Sequence, residues 1–472
     1  MESATKEQIS KLVASQRQYF KSGETFDINF RINQLKKLKQ MVIDNEEAMT
    51  KAMYEDLGRH YVEAYFCDIG SVILEINEYI KGLRRWAKPD RHFSGFHCFP
   101  SLVTKVYKIP YGNTLIISPF NFPFLLSLGV LAASMAGGNT AVIKASSKTV
   151  HCSDLLEKMI GETFPENYIS VIKGEHEIAD YCLEERYDKI FYTGSPKVGR
   201  HVLEMASRNL TPVALELGGE NGNWCIVRKD ADLKDAAKKI AFFKACNSGQ
   251  VCININQIAV AKEVAGDFIK ELKAAFEKTV GVDPVNSDEY AKLVTVDAYD
   301  KCAKEAEEYR DRIVYGGFGN RDNQKYAPTI IYPVNRDDSI IDHELFCPLI
   351  PIVPYEDDKI DDMVDFIEER EHGLALYIFT RNKKWANKVF KTSQYGGGCY
   401  NEVILHLMVK GAPFNGTGHS GMGAYHGRYG FDEFTHPSTV LYGSRYFNLP
   451  LRLHPYEGHD KWKYRLLKFF ER

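Results

Sequence analysis

Ten cysteines are scattered through 472 residues, and one of them, Cys252, has neighbours that bear on what its sulfur could do. It ends the run Asn247-Ser248-Gly249-Gln250-Val251-Cys252, where a helical stretch stops at a glycine and an alternating strand, residues 253–260, begins. A thiol on such a turn has two readings, a nucleophile presented to a cleft or a small hydrophobe of the core. Glu216 stands in Glu216-Leu217-Gly218-Gly219, at the end of the apolar run 213–215. Open α/β sheets place chemistry at such strand ends, although a solvated carboxylate beside a Gly-Gly turn has the same pattern. Asn121 lies between Pro119 and Pro123, which restrict the backbone around it. Its amide is suited to an oxyanion, because it donates without carrying charge, and equally to an ordinary turn. The fourth run, Thr193-Gly194-Ser195-Pro196-Lys197-Val198-Gly199, follows a predicted strand and opens a helix. Its backbone N–H groups can meet a pyrophosphate, but the spacing departs from GxGxxG.

The elements that must position these residues are legible as periodicity. Residues 32–57 carry Ile32, Leu35, Leu38, Val42, Met49 and Met53 at helical spacing, with Gly58 as a stop, and residues 62–86 repeat the rhythm. From Asn113 onward short apolar runs (114–117, 140–143, 169–172, 189–192) alternate with helices (124–136, 154–164), the pattern of βαβ units and a parallel sheet. A second α/β lobe opens with strand 224–227 and helix 233–245, and Cys246, read as part of that helical run, is left to the core. Residues 91–108 read as an extended arm. Residues 411–430 read as a long loop, and long loops in compact domains are usually functional.

Composition narrows the class. The chain is longer than the roughly 250–300 residues one core supports, so two lobes are expected. With 44% apolar and 26% charged residues and a net charge of −3, it reads as a globular enzyme, without the charge blocks of a nucleic-acid binder. No secretory leader and no spanning apolar run are read, and the cysteines lack metal-binding spacing. They suit a reducing compartment, so a soluble, cytoplasmic protein without a metal is expected. The basic, partly apolar C-terminus reads as a helix packed on the protein or a partner, or as a membrane-surface helix.

Taken in order, the motifs resemble the aldehyde dehydrogenase superfamily from about residue 26 to 455, and within it class 3. The resemblance is carried by Pro119–Pro123, by Phe191-Tyr192-Thr193-Gly194-Ser195 with Val198-Gly199, by Leu210-Thr211-Pro212 running into Glu216–Gly219, by Gly249–Cys252, by Glu344-Leu345-Phe346-Cys347-Pro348, and by Ser420–Gly427 with Phe431, Phe434 and His436. It implies an α/β architecture with a doubly wound, Rossmann-like coenzyme domain (1–90 and 106–216), an α/β catalytic domain (217–420), bridging segments for oligomerisation (91–105 and 428–455) and a tail (456–472). It implies oxidation of an aldehyde to a carboxylic acid with NAD or NADP, and a homodimer. By the same resemblance Cys252 is the nucleophile, Glu216 the general base and Asn121 the oxyanion donor. Gly194, Ser195, Val198 and Gly199 lie under the pyrophosphate, Glu344 and Phe346 flank the nicotinamide riboside, and Lys144 and Ser147 meet the adenosine ribose. A CoA-acylating relative, which needs no water-activating carboxylate, is disfavoured by Glu216. A fold that has lost catalysis is disfavoured by Cys252, Asn121 and Glu344.

Four positions depart from the family pattern: Lys144-Ala145-Ser146-Ser147 stands where Lys-Pro-Ser-Glu is common, Glu220 replaces a lysine, and Cys347 and Asn415 replace glycines. Ser147 cannot repel a 2′-phosphate, so NADP is expected to be used within about tenfold of NAD.

Overall fold

The computed structural model describes residues 4–95, 98–447 and 460–471. Its first sheet has six strands, in the order Gly421–Met422, Val213–Leu217, Lys189–Gly194, Asn113–Ile117, Thr140–Lys144, Ile169–Ile172. The last five run parallel. Strand Thr140–Lys144 is buried at every position, which is why its sequence is a continuous apolar run instead of an alternating one. Strand Asn113–Ile117 has the Thr140 strand on one side and the Lys189 strand on the other, so the winding reverses there and leaves a crevice at the carboxyl ends. The second sheet has seven strands, ordered Ile313–Tyr315, Thr329–Ile331, Leu349–Tyr355, Ile255–Ala261, Asn223–Val227, Ala375–Phe379, Gly397–Tyr400, and only its first pair is antiparallel. A third, antiparallel sheet joins Asp90–Phe93, Val103–Pro110 and Thr435–Tyr442, so the expected arm takes the form of strands. Of the bridging and tail segments, 96–97, 448–459 and Arg472 lie outside the described residues, and Asp460–Glu471 is a helix.

Several expectations are corrected. A helix, Lys6–Lys21, precedes the first one read, closed by a reciprocal cap in which Thr5 Oγ1 accepts from Gln8 N at 3.3 Å and Gln8 Oε1 from Thr5 N at 2.7 Å. It buries only Ile9, Val13 and Gln16, too thin an apolar stripe to stand out as periodicity. The stretch 32–57 is two helices, Ile28–Asp44 and Glu46–Leu57, parted at Asn45, whose side chain turns back to donate to Met41 O at 2.8 Å. The stretch 62–86 is Tyr61–Ala64, a wide π turn at Tyr65–Ile69, and Gly70–Trp86. The helix read at 124–136 likewise starts with a π turn, Leu125–Gly129, before Val130–Gly137. Such turns cluster at functional sites, and here they meet: Asp68 of the first accepts from Leu125 N of the second. Helix Leu233–Ala245 ends one residue before Cys246, which begins the turn that follows.

The segment 411–430 is no plain loop. Phe414–Asn415 pairs with Ala424–Tyr425, and Gly421–Met422 adds an antiparallel edge to the first sheet, opposite Glu216 and Leu215. Gly421, at φ 131°, lies so close to the Leu215 carbonyl that a Cβ would collide with it.

Candidate active site

The turn that carries Cys252 is bent out of ordinary backbone space. Asn247, Ser248 and Gly249 all have positive φ (49°, 53° and 80°), a run that costs energy for the two non-glycines. Side chains hold it there. Asn247 N donates to Glu63 Oε1 at 2.8 Å, and its Nδ2 donates to Asn121 O and Gln250 O, each at 3.0 Å. Gln250 Nε2 reaches Asn247 O at 2.9 Å and Lys292 O at 3.0 Å, while its Oε1 accepts from Val294 N at 3.0 Å. Gly249 is required because a Cβ would strike the Cys347 carbonyl. The turn ends with Cys252, whose own carbonyl is fixed by Asn223 Nδ2 at 2.8 Å.

Asn121 is buried against this turn, its Nδ2 donating to Gln250 O at 3.2 Å. Behind it lies Arg59, a fully buried guanidinium that donates to Asn121 O, pairs with Asp68 Oδ2 at 3.3 Å and stacks over Phe122 at 4.9 Å. Periodicity could not reveal this arginine, since it follows the helix stop Gly58 and belongs to no apolar stripe.

Glu216 ends strand Val213–Leu217 beside Thr193, its register neighbour. It is buried, and neither carboxylate oxygen has a hydrogen-bond partner. Burial pushes its carboxyl up to about 7, against the lowering influence of the Cys252 thiol, the Thr193 hydroxyl and His426. Burial also pushes the Cys252 thiol up, and the neighbouring Glu216 carboxylate adds to the shift. Glu344 sits over Gly218, where any Cβ would collide with its carboxylate. Burial, reinforced by the charge of Glu216 and opposed by Lys244, pushes Glu344 up to about 8. The loop of Glu344 and Phe346 is held by Asn256, which donates to His343 O at 3.0 Å and accepts from Leu345 N at 2.8 Å. Phe346 has a strained φ of 50° and meets Phe120 edge-on at 5.8 Å.

Two cavities meet at Cys252, the one residue common to both walls among the described residues. One is a cleft of about 660 Å³, open solvent included, between apolar side chains that include Phe66, Phe122, Leu126, Phe243, Leu407, Met408, Phe414 and Tyr425. The other, about 580 Å³, is lined by Phe120, Asn121, Thr193, Gly194, Ser195, Glu216, Gly218, Glu344 and Phe346. It opens at the start of helix Pro196–Ser207, where Ser195 Oγ accepts from Val198 N at 3.5 Å. Gly199 lets that helix approach Leu217, and Gly194 leaves room that a Cβ would deny against the Tyr192 hydroxyl. Lys144 and Ser147 lie one strand further along the sheet edge. Lys144 Nζ donates to Ala145 O at 2.8 Å and Gly174 O at 2.6 Å, and burial lowers its pKa.

The whole of this arrangement belongs to a chain that matches the Aldehyde dehydrogenase family over residues 1–440. It is 37% identical to the 4,4′-diaponeurosporen-aldehyde dehydrogenase of Staphylococcus aureus, across 94% of this chain and 96% of that protein. It is 36% identical to aldehyde dehydrogenase family 3 member H1 of Arabidopsis thaliana, across 98% and 94%. The substrate-bound structure of Staphylococcus aureus AldH superposes with a TM-score of 0.94, at 35% identity, over 98% of this chain and 99% of that one. The chain belongs to the aldehyde dehydrogenase family. It is an oxidoreductase that oxidises aldehydes with NAD or NADP, in the family 3 branch that its motifs resemble.

Within this dehydrogenase, Cys252, Glu216, Asn121, Gly194, Ser195, Glu344 and Phe346 converge on one cavity. Val198 and Gly199 stand in the helix behind it, and Lys144 and Ser147 are apart from it. Ser147 stands where the family pattern has a glutamate, and its Oγ donates to Glu175 Oε2 at 3.0 Å, so a carboxylate from the next strand's loop lies beside it. Among the other departures, Glu220 pairs with Arg200 and, at 2.8 Å, with His419. No helix among the described residues is long and apolar enough to cross a membrane.

Proposed function

We propose that Cys252 is the nucleophile of this dehydrogenase, Glu216 the general base and Asn121 the oxyanion donor. The observation that carries this is the place of Cys252, the shared wall of an apolar cavity fit for the body of an aldehyde and a polar cavity fit for a coenzyme. The polar cavity suits the nicotinamide half of a dinucleotide: the buried Thr193 hydroxyl and both Glu216 oxygens are unpartnered there, and a helix N-terminus faces it. Gly194, Ser195, Val198 and Gly199 would hold the pyrophosphate, Glu344 and Phe346 the nicotinamide riboside, and Lys144 and Ser147 the adenosine ribose.

A thiol raised by burial is a poor nucleophile at neutral pH, so Cys252 gives its proton to water in the polar cavity as it attacks, and Glu216, pushed up to about 7 and lining the same cavity, is kept for the water-activating step. The sulfur forms a bond to the carbonyl carbon, and the oxygen becomes an oxyanion facing Asn121 Nδ2 and the Cys252 N–H. NAD or NADP, when bound, would supply the hydride acceptor for this carbon, and Cys252 would then hold the acyl group as a thioester. Glu216 then takes a proton from water, the hydroxide attacks the thioester, the C–S bond breaks, and the acid departs as the thiol regains its proton. The apolar cavity excludes bulk water and orients the aldehyde.

The domain reading that accompanies this assigns 1–90 and 106–216 to the coenzyme, 217–420 to catalysis, and 91–105 with 428–455 to assembly. A homodimer is favoured by the third sheet, which exposes Phe93, Val103, Val440, Leu441 and Tyr442; light scattering in solution tests it. The ten thiols, all free, support a reducing, cytoplasmic setting.

The deciding assay follows reduced coenzyme by absorbance with a mixture of aldehydes, with and without CoA. Turnover without CoA, lost on alkylation of Cys252, is expected; turnover that needs CoA would overturn the role of Glu216.

A further inference from the structure

The loops after strands Thr140–Lys144 and Ile169–Ile172 form a small, closely held corner of the sheet edge. These strands are parallel neighbours, with Lys144 opposite Ile172. Lys144 bridges the two loops through its bonds to Ala145 O at 2.8 Å and Gly174 O at 2.6 Å. Gly174, at φ 132°, packs so tightly on Ile178 that a Cβ would collide, so the chain turns sharply there and presents the next residue, Glu175. Ser147 then fixes the carboxylate, its Oγ donating to Glu175 Oε2 at 3.0 Å. Glu175 flanks helix His176–Glu184 but caps none of its N–H groups, so its carboxylate has no structural duty at the helix.

We propose that Glu175 sets the coenzyme preference of this enzyme, supplying the ribose carboxylate that Ser147 lacks and thereby favouring NAD over NADP. The inference rests on the coenzyme reading above. A dinucleotide whose nicotinamide end fills the polar cavity beside Cys252 lies across the carboxyl ends of the strands. From the Lys189 and Asn113 strands the edge continues to the Thr140 and Ile169 strands, where this corner stands.

The chemistry of the corner discriminates. An ionised carboxylate only accepts hydrogen bonds and has about four lone-pair sites, of which Ser147 uses one. The two free hydroxyls of an NAD ribose are donors and satisfy what is left. A 2′-phosphate replaces one donor with acceptors and adds like charge. Lys144 does not reverse this, because two of its three N–H donors are committed to backbone carbonyls. Lys148, the other cation of the loop, lies over the Phe120 ring at 5.0 Å. Glu175 is exposed, so the discrimination is weakened by salt.

The test is direct binding, measured by fluorescence titration of NADH and NADPH onto the full-length enzyme, in wild type, Glu175→Gln and Ser147→Ala, at low and high salt. Wild type is expected to bind NADPH at least roughly tenfold more weakly than NADH, a gap that narrows with salt. Glu175→Gln keeps the shape and removes the charge, and should bring the two within about threefold, mainly by tightening NADPH. Ser147→Ala, which frees the carboxylate, should move the ratio in the same direction by less. The proposal is overturned if wild type binds both coenzymes within about threefold, or if the ratio is unmoved by Glu175→Gln. Failure of wild type to bind either coenzyme would instead overturn the coenzyme reading. Melting curves that superimpose with wild type confirm that the exposed substitution left the fold alone.

Discussion

The guanidinium of Arg59 donates to the main-chain oxygen of Asn121, and the side chain of Asn247 donates to the same oxygen at 3.0 Å. Two donors from different elements thus fix the peptide of Asn121, the proposed oxyanion donor, and one of the two belongs to the turn that carries Cys252. A buried ion pair stands behind the geometry, since Arg59 and Asp68 are both wholly inside. Replacing Arg59 with Met would leave Asp68 buried without its cation, which costs about 3–5 kcal/mol. The expected result is a lower midpoint in urea and a kcat reduced by at least roughly tenfold from a misplaced Asn121. Arg59→Lys should recover part of kcat, because it restores the charge and one donor. A stable, fully active Arg59→Met variant would separate Asn121 from this support.

Cys252 and Cys246 lie in the same bent turn but have different surroundings. Cys246 has its sulfur 3.4 Å from that of Cys67 in the wall of the apolar cavity. Cys252→Ala should lower kcat by several orders of magnitude while leaving the affinity for reduced coenzyme within about threefold of wild type. Cys246→Ala should stay active, with a changed KM for bulky apolar aldehydes. An inactive Cys246→Ala beside an active Cys252→Ala would reverse the assignment.

Glu216→Gln should divide the reaction. The amide still fits the cavity but cannot take a proton from water, so thioester hydrolysis slows by roughly two to four orders of magnitude. A single-turnover burst of reduced coenzyme is expected, followed by an acyl mass on the Cys252 peptide. Loss of the burst together with turnover would place Glu216 before hydride transfer.

The pH dependence of stability follows from the same carboxyl, raised from 4.5 to about 7 in the fold. Between those values the native state keeps a proton that the unfolded chain has released, so stability falls as pH rises through the window, and the loss is complete above it. Glu216→Gln cannot ionise. Its stability relative to wild type should therefore rise from pH 4.5 to 7, by about 3 kcal/mol at most, read as paired urea titrations. Where hydrolysis limits turnover, wild-type kcat should show an acidic limb near pH 7. A relative stability flat across that range would mean that the carboxyl titrates normally.

The sequence by itself determined which groups are candidates for the chemistry and the strand-turn-helix positions that carry them. Cys252 after a glycine turn, Glu216 at a strand end and Asn121 between prolines are local features, and the parallel sheet was legible because its strands are buried on both faces and read as unbroken apolar runs. The helix Lys6–Lys21, which buries only two apolar side chains, escaped, and so did the breaks at Asn45 and at the two π turns, since a few residues of irregular backbone scarcely disturb a helical period. What only the tertiary structure decided was which residues meet across long separations. Arg59 behind Asn121, Gly421 against the Glu216 strand, and Glu175 beside Ser147 come from segments 62, 205 and 28 residues apart. Periodicity reports which face of an element is buried, and it carries no record of which distant element covers that face.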